Sequence, residues 1–146
     1  MSKSLFAVAL RLLSRKNYSS KELSEKLLLF CKNKEEIKSV IESLKEKKII
    51  SDNLFSDRLV EKLLLNYGSK FIERKLYSCG IDPDIINSYM FSIRQTDFER
   101  AVLLCDRKFK NHLSDDKLYS KKARFLTSHG FPSDVVYKIL RFDMDD

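Results

Sequence analysis

An all-α fold, built from a short helical unit used three times, is what this chain's residues predict, and three observations carry that reading. Residues 117–140 repeat residues 69–90 at a shift of fifty, which lays Arg124 on Arg74, Leu126 on Leu76, Gly130 on Gly80, Phe131 on Ile81, Val135 on Ile85 and Leu140 on Met90. At a shift of forty-eight, residues 20–44 join the set, with Lys26, Leu28 and Ile37 standing where Arg74, Leu76 and Ile85 stand. Recurrence at such a period marks a structural unit. Apolar side chains return at helical spacing along most of the chain, and 3 Gly and 2 Pro leave little punctuation for a β fold. Nine helices follow, in three tandem three-helix repeats over residues 1–50, 51–95 and 96–146.

Leu5, Ala9, Leu12 and Leu13, with Phe6 and Val8 beside them, give a first helix to about Arg15. Ser19-x-x-Glu22 is a capping box, in which hydroxyl and carboxylate each satisfy an orphan N–H; it opens a second helix with Leu23, Leu27 and Phe30 as its stripe. Asn33 with Glu36 offers the third helix the same reciprocal cap. Ile37, Val40, Ile41 and Leu44 follow it, and the basic last turn complements the helix dipole. Ser51-Asp52 starts the fourth helix, whose Phe55, Leu59, Leu63 and Tyr67 recur every fourth residue up to Gly68. The fifth runs from Ser69 to Cys79 and buries Ile72, Leu76 and Cys79; Asp82-Pro83, a cap followed by proline in the first turn, starts the sixth. Thr96-x-x-Glu99 boxes the seventh, with Phe98, Val102 and Cys105 as its spine. Residues 111–116 read as a polar linker to the eighth, and the ninth begins around Pro132-Ser133 and carries Val135, Val136, Ile139 and Leu140.

Each repeat turns a corner between its second and third helices. Gly80 and Gly130 come four residues after Leu76 and Leu126, where a left-handed residue closes a helix. The first repeat has Lys32-Asn33 there, which predicts a looser corner. Leu28 to Ile37, Leu76 to Ile85 and Leu126 to Val135 are each nine apart in this register.

Units of about 45 residues rarely bury enough apolar surface to stand alone, so neighbouring units must stabilise one another. The balance of 28 Lys and Arg against 21 Asp and Glu, net +7, favours polyanionic partners. Two basic ends, 1–60 and 101–146, flank a neutral middle, and Asp143, Asp145 and Asp146 form an acidic tail. Cys31, Cys79 and Cys105 are odd in number and far apart, which reads as buried reduced thiols rather than a disulfide framework. With no long apolar run and no signal-peptide pattern at the start, the cytoplasm is the simplest compartment.

Lys26, Arg74 and Arg124 each precede the anchoring Leu by two residues, a rotation of about 200° that turns them away from the side the Leu buries. Lys70, Arg74 and Tyr77 share one helix face, as do Lys117, Lys121 and Arg124; Lys75 and Lys122 sit next to them in sequence. Such a stripe suits phosphates, or acidic patches on a protein, or simply solvates an amphipathic helix. The helix–corner–helix pairs also resemble DNA-binding helix-turn-helix modules, which makes a stand-alone transcriptional regulator the alternative, but no base-reading set of Asn, Gln and Arg accompanies them. Catalysis has little support, because His112 and His129 are far from any Cys at ligand spacing and no phosphate loop or nucleophile elbow occurs. His129, before Gly130, reads as a cap on helix-end carbonyls. No cofactor or metal is implied. Tyr77 and Tyr119 read as packing or surface residues rather than base-stacking platforms.

Three stretches in order, ALRLLSRKNYSSKELSEKL (9–27), ISDNLFSDRLVEKLLLNYGSKFIERKLYSCGI (50–81) and SKKARFLTSHGFPSDVVYKIL (120–140), resemble the RecX family, regulators of the RecA recombinase. The Leu-Leu-Ser-Arg opening, the Asp-x-x-Phe start of the second repeat and the closing Leu-x-x-x-Gly-Phe carry the likeness, which covers nearly the whole chain. It implies an elongated, curved all-α monomer that binds the RecA nucleoprotein filament, inhibits its ATPase, strand exchange and co-protease action, and touches single- and double-stranded DNA weakly and without sequence preference. Two departures stand out: the first corner lacks its Gly, and His129 replaces a basic residue common in the family. The family has no catalytic motif to carry over, so the cations named above are read from position alone.

Overall fold

The computed structural model describes residues 4–110 and 117–144, so the 111–116 linker, His112 and the last two residues of the acidic tail lie outside the described residues. The described residues form nine helices and no strand: α1 (Leu5–Leu13), α2 (Ser20–Leu27), α3 (Lys34–Glu46), α4 (Asp52–Leu64), α5 (Ser69–Ser78), α6 (Pro83–Gln95), α7 (Asp97–Phe109), α8 (Leu118–Ser128) and α9 (Ser133–Met144). Two compact units result, one of Met1–Leu59 with Leu76–Asp82 and one of Val60–Lys75 with Pro83–Asp146, so the divisions fall inside α4 and α5.

In the first unit, Leu5, Val8 and Ala9 of α1, Leu23 and Leu27 of α2, Ile37, Ile41 and Leu44 of α3, and Ile50 form one core. Eight residues of α2 are too few to hold a helix by propensity; complete burial of Leu23 and Leu27, worth about 2 kcal/mol each, holds it instead. The capping box forms as predicted, with Glu22 N–H donating to Ser19 Oγ and Ser19 N–H to Glu22 Oε1, both at 3.1 Å. Asn33 caps α3 by accepting from Glu35 and Glu36 N–H at 3.1 and 3.3 Å, but the return bond expected from Glu36 does not form, its carboxylate accepting from Cys31 Sγ at 3.4 Å instead. The second unit has its own core of Ala101, Leu104 and Cys105 on α7, Leu126 on α8, Phe131, and Val136, Ile139 and Leu140 on α9.

The repeat is real, but its register in the first copy is corrected by one residue. Leu27 is the fully buried counterpart of Leu76 and Leu126, whereas Leu28 is half-buried at the α2 C-terminus. Ile37, Ile86 and Val136 are the buried residues beyond the corner, with Ile85 and Val135 half-buried, so the spacing is ten in all three copies. Helix starts agree: Ser20 and Ser69 open α2 and α5, and Lys34 and Pro83 open α3 and α6, each pair forty-nine apart. Glu25, not Lys26, therefore occupies the place of Arg74 and Arg124, and Lys26 stands where Lys75 stands. The expected one-cation-per-repeat row ends at two.

Other expectations are adjusted by the same burial. Phe30 lies beyond α2 and is exposed, and the buried face of α4 carries Ser56, Val60 and Leu63, leaving Phe55, Leu59 and Tyr67 half-buried. Thr96 forms no capping box: its hydroxyl donates to Ile93 O at 3.0 Å and accepts from Arg100 Nε at 3.0 Å, and the buried spine of α7 is Asp97, Ala101, Leu104 and Cys105. Cys79 and Cys105 are buried and in no disulfide, while Cys31 is half-buried. Five residues past Ser4, Ser51 and Thr96 come Ala9, Ser56 and Ala101, all with no exposed surface; a small side chain at that point lets the first helix of each triplet approach its neighbours closely.

Both units contain the same junction. In the first, Ser20 N–H and Oγ donate to Asp52 Oδ1 and Oδ2 at 2.8 and 2.6 Å, and Ser19 Oγ donates to Cys79 O at 2.6 Å. In the second, Ser69 N–H donates to Asp97 Oδ1 at 3.0 Å and Ser69 Oγ to Asp97 Oδ2, while Gly68 N–H and Lys70 N–H donate to His129 O and Gly130 O at 2.7 and 2.9 Å. A middle helix starts with several orphan N–H groups, and here a carboxylate and the carbonyls of the next corner take them. The corners come so close that a Cβ on Gly80 would strike the Lys21 side chain and one on Gly130 the Phe71 backbone, and both glycines have positive φ, 75° and 87°. In the first copy the corresponding residue is Cys31, whose φ is not positive, and Asn33 is the extended N-cap of α3; the expected loose corner is a short turn in which Cys31 N–H still reaches Leu27 O at 3.0 Å.

Candidate interaction surface

Because α5 turns Ile72 and Leu76 inward, Lys70 and Arg74 are left one turn apart on its exposed face. Arg74 Nε makes a long bond to Lys70 O at 3.4 Å, and Arg124 on α8 takes the same posture, Nε to Ser120 O at 3.5 Å. Both guanidinium groups so keep their remaining donors free to face outward. Among the other cations singled out from the sequence, Lys26, Lys75 and Lys117 are exposed and Lys121 and Lys122 half-buried; Lys26 belongs to the first unit and the rest to the second.

Of that set, Lys70 and Arg74 line a common cavity, about 470 Å³ in volume, with Glu73, Thr127, Gly130, Phe131 and Ser133. Glu73 Oε2 accepts from Arg94 Nη2 at 3.0 Å, which offsets its charge. Two cations and two hydroxyls then face one opening, an arrangement that can hold phosphate or carboxylate oxygens through charge-assisted hydrogen bonds. Sequence reading finds Lys70 and Arg74 but misses Thr127 and Ser133, which α8 and α9 bring in from far along the chain; the helix start at Pro132-Ser133 was the available signal.

Beneath this surface lies a polar cluster that no periodicity announces. Asp97, 1% exposed, accepts from Arg100 Nη2 at 2.7 Å as well as from Ser69, and Arg100 also donates to the carbonyls of Tyr67 and, at 3.2 Å, Ile93. Burial lowers the Arg100 pKa from its ordinary value, and the Asp97 charge opposes that shift. The Arg100 donors and both Asp97 oxygens are used inside the fold, so the cluster positions the start of α5. His129 Nδ1 donates to Phe125 O at 2.9 Å, the carbonyl-capping role expected of it, and its ring stacks with that of Tyr67 at 5.5 Å. Tyr77 and Tyr119 are half-exposed. No described helix is long and apolar enough to cross a membrane.

Comparison with known proteins gives one answer. Models of the first and third three-helix domains of RecX match residues 6–44 and 95–140. The regulatory protein RecX of Herminiimonas arsenicoxydans is 31% identical over 94% of this chain and 91% of its own length, and that of Neisseria meningitidis serogroup B is 30% identical over 99% and 94%. A crystal structure of RecX from Lactobacillus salivarius has the same fold, with a TM-score of 0.78 at 23% identity over 97% of this chain and 94% of that one. Helical triplets joined at repeated junctions, and likeness at both ends and across the whole length, place this chain in the RecX family.

Proposed function

We propose that this protein is a non-enzymatic regulator that binds the RecA nucleoprotein filament in the cytoplasm and restrains its ATPase, strand-exchange and co-protease activities, and so acts in DNA repair and the SOS response. Near-full-length relationship to proteins named regulatory protein RecX carries the reading. The positively charged side chains support it: Lys26, Lys70, Arg74, Lys75, Lys117, Lys121, Lys122 and Arg124 are the residues we assign to the filament, with the Lys70–Arg74 cavity accepting phosphate or carboxylate oxygens. The protein works as a monomer of three repeats, 1–50, 51–95 and 96–146, with weak DNA affinity of its own. Added to RecA on single-stranded DNA, it lowers ATP turnover. Charge reversal at Lys70, Arg74 and Arg124 relieves that inhibition while the helical CD signal stays intact; full inhibition by the reversed variant excludes these cations, and no effect of the unaltered protein on RecA excludes the function.

A further inference from the structure

In the first unit, α2 and α3 leave a groove of about 390 Å³ whose floor is apolar, from Leu28, Ile37 and Ile41, and whose rim carries Lys34, Lys38 and Lys45. On a helix these three lysines fall within an arc of about 40° and stand about 6 and 10 Å apart along the axis. They form a straight row down one edge of α3. Across the groove Lys21 pairs with Glu25 at 3.9 Å, and Glu42 is the other carboxylate on the rim, so the row has an excess of positive charge. Lys34, Lys38 and Lys45 are exposed, and immediately after Leu28 the chain also exposes Leu29 and Phe30, at 71% and 53%.

We propose that this groove receives an amphipathic, acidic helix from a protein partner. A polyphosphate backbone would meet the lysines but gain nothing from Leu28, Ile37 and Ile41, whereas a helix with an apolar stripe fills the floor and aligns carboxylates spaced i, i+4 and i+11 with the lysine row. The groove is made by the first repeat alone, and of the cations assigned above to the filament Lys26 belongs to the same unit. It deepens the filament reading, on which the identity of the partner rests, by giving the contact a protein component beside the phosphate-seeking one.

The probe is a fluorescein-labelled synthetic peptide of about 18 residues, long enough to form helix on docking, with Leu on one face and Glu flanking it. Beside it are tested a peptide of the same composition in scrambled order and oligothymidylate. Fluorescence anisotropy with the full chain is expected to show binding of the amphipathic peptide about tenfold tighter than of the scrambled one, and about tenfold weakening in the variant Lys34→Gln, Lys38→Gln, Lys45→Gln. The same charge change at Lys16, Lys47 and Lys48, all exposed in the same unit, is expected to leave affinity within about threefold. Equal binding of the two peptides, equal loss in both triple variants, or weaker oligothymidylate binding as the only effect of the groove variant overturns the proposal. Co-sedimentation of the unaltered protein with RecA filaments is read separately, so its absence removes the filament reading and leaves the peptide result standing.

Discussion

Replacing Asp97 by alanine strips α5 of its clamp and Arg100 of its counter-charge in one step. Asp97 holds both Ser69 donors and the Arg100 guanidinium, and Asp97 and Ser69 are 1% and 2% exposed, so water cannot take over these bonds. Removing one member of a buried charged pair costs about 3–5 kcal/mol, and Arg100, 14% exposed, would be left largely covered by protein without its counter-charge. Asp52 makes the matching pair of bonds to Ser20 but is half-buried and holds no arginine, so Asp52→Ala loses about 1–2 kcal/mol. With a urea slope of about 2 kcal/mol per molar, Asp97→Ala lowers the unfolding midpoint by about 2 M and Asp52→Ala by less than 1 M. Urea titration followed by far-UV circular dichroism measures both. A smaller shift for Asp97→Ala than for Asp52→Ala refutes the assignment of the second junction to this carboxylate.

Ser56 is fully buried and its Oγ has no hydrogen-bond partner among the described residues, whereas Ala9 and Ala101 occupy the matching places; Ser56→Ala is expected to raise stability by about 1 kcal/mol in the same titration. Lys48, exposed at the end of α3, has φ 59°, the one described non-glycine residue in the left-handed region, so Lys48→Gly is expected to stabilise by up to about 1 kcal/mol and to raise Tm by a few degrees by calorimetry. Gly130→Ala, which drives a methyl into the Phe71 backbone, is expected to cost more than Gly80→Ala, which meets the Lys21 side chain from Cβ outward and can displace part of it; each carries about 1–2 kcal/mol for the left-handed conformation besides.

What could be read from the sequence was local. Caps at Ser19 and Asn33, the proline start of α6 and the glycine ends of α5 and α8 depend on residues within a few positions of one another, and they stand where the pattern put them. The register of the first repeat failed because its corner offers no glycine to align on and Leu27, Leu28 and Leu29 follow in a row, so three choices of anchor look equal until burial selects Leu27. The Thr96 box failed for a different reason. A capping box is a local bargain between one hydroxyl and one carboxylate, and here Thr96 is held by Ile93 and Arg100. The cavity at Lys70 and Arg74 was half legible: the cations share a face of one helix, but their hydroxyl companions come from α8 and α9 and leave no periodic trace.

The junctions explain why the repeat is degenerate. A glycine is required at a corner only where another helix start is pressed against it, as Lys21 is against Gly80 and Phe71 against Gly130; at the first corner Leu29 and Phe30 are exposed, and Cys31 stands in the glycine's place without strain. The serine that begins the middle helix persists in the copies whose start is clamped by the first residue of the next triplet, Ser20 by Asp52 and Ser69 by Asp97. Small side chains that are wholly buried where the first helix of a triplet packs, at Ala9, Ser56 and Ala101, recur in all three. The pattern of what is kept follows contact rather than ancestry. Surface positions bound by neither kind of contact are free to diverge, and so Glu25 can stand where Arg74 and Arg124 carry a cation, while α3 alone gathers a row of lysines beside an apolar groove. Equivalent places in the fold need not share a binding role, so each repeat has to be tested with its own substitutions.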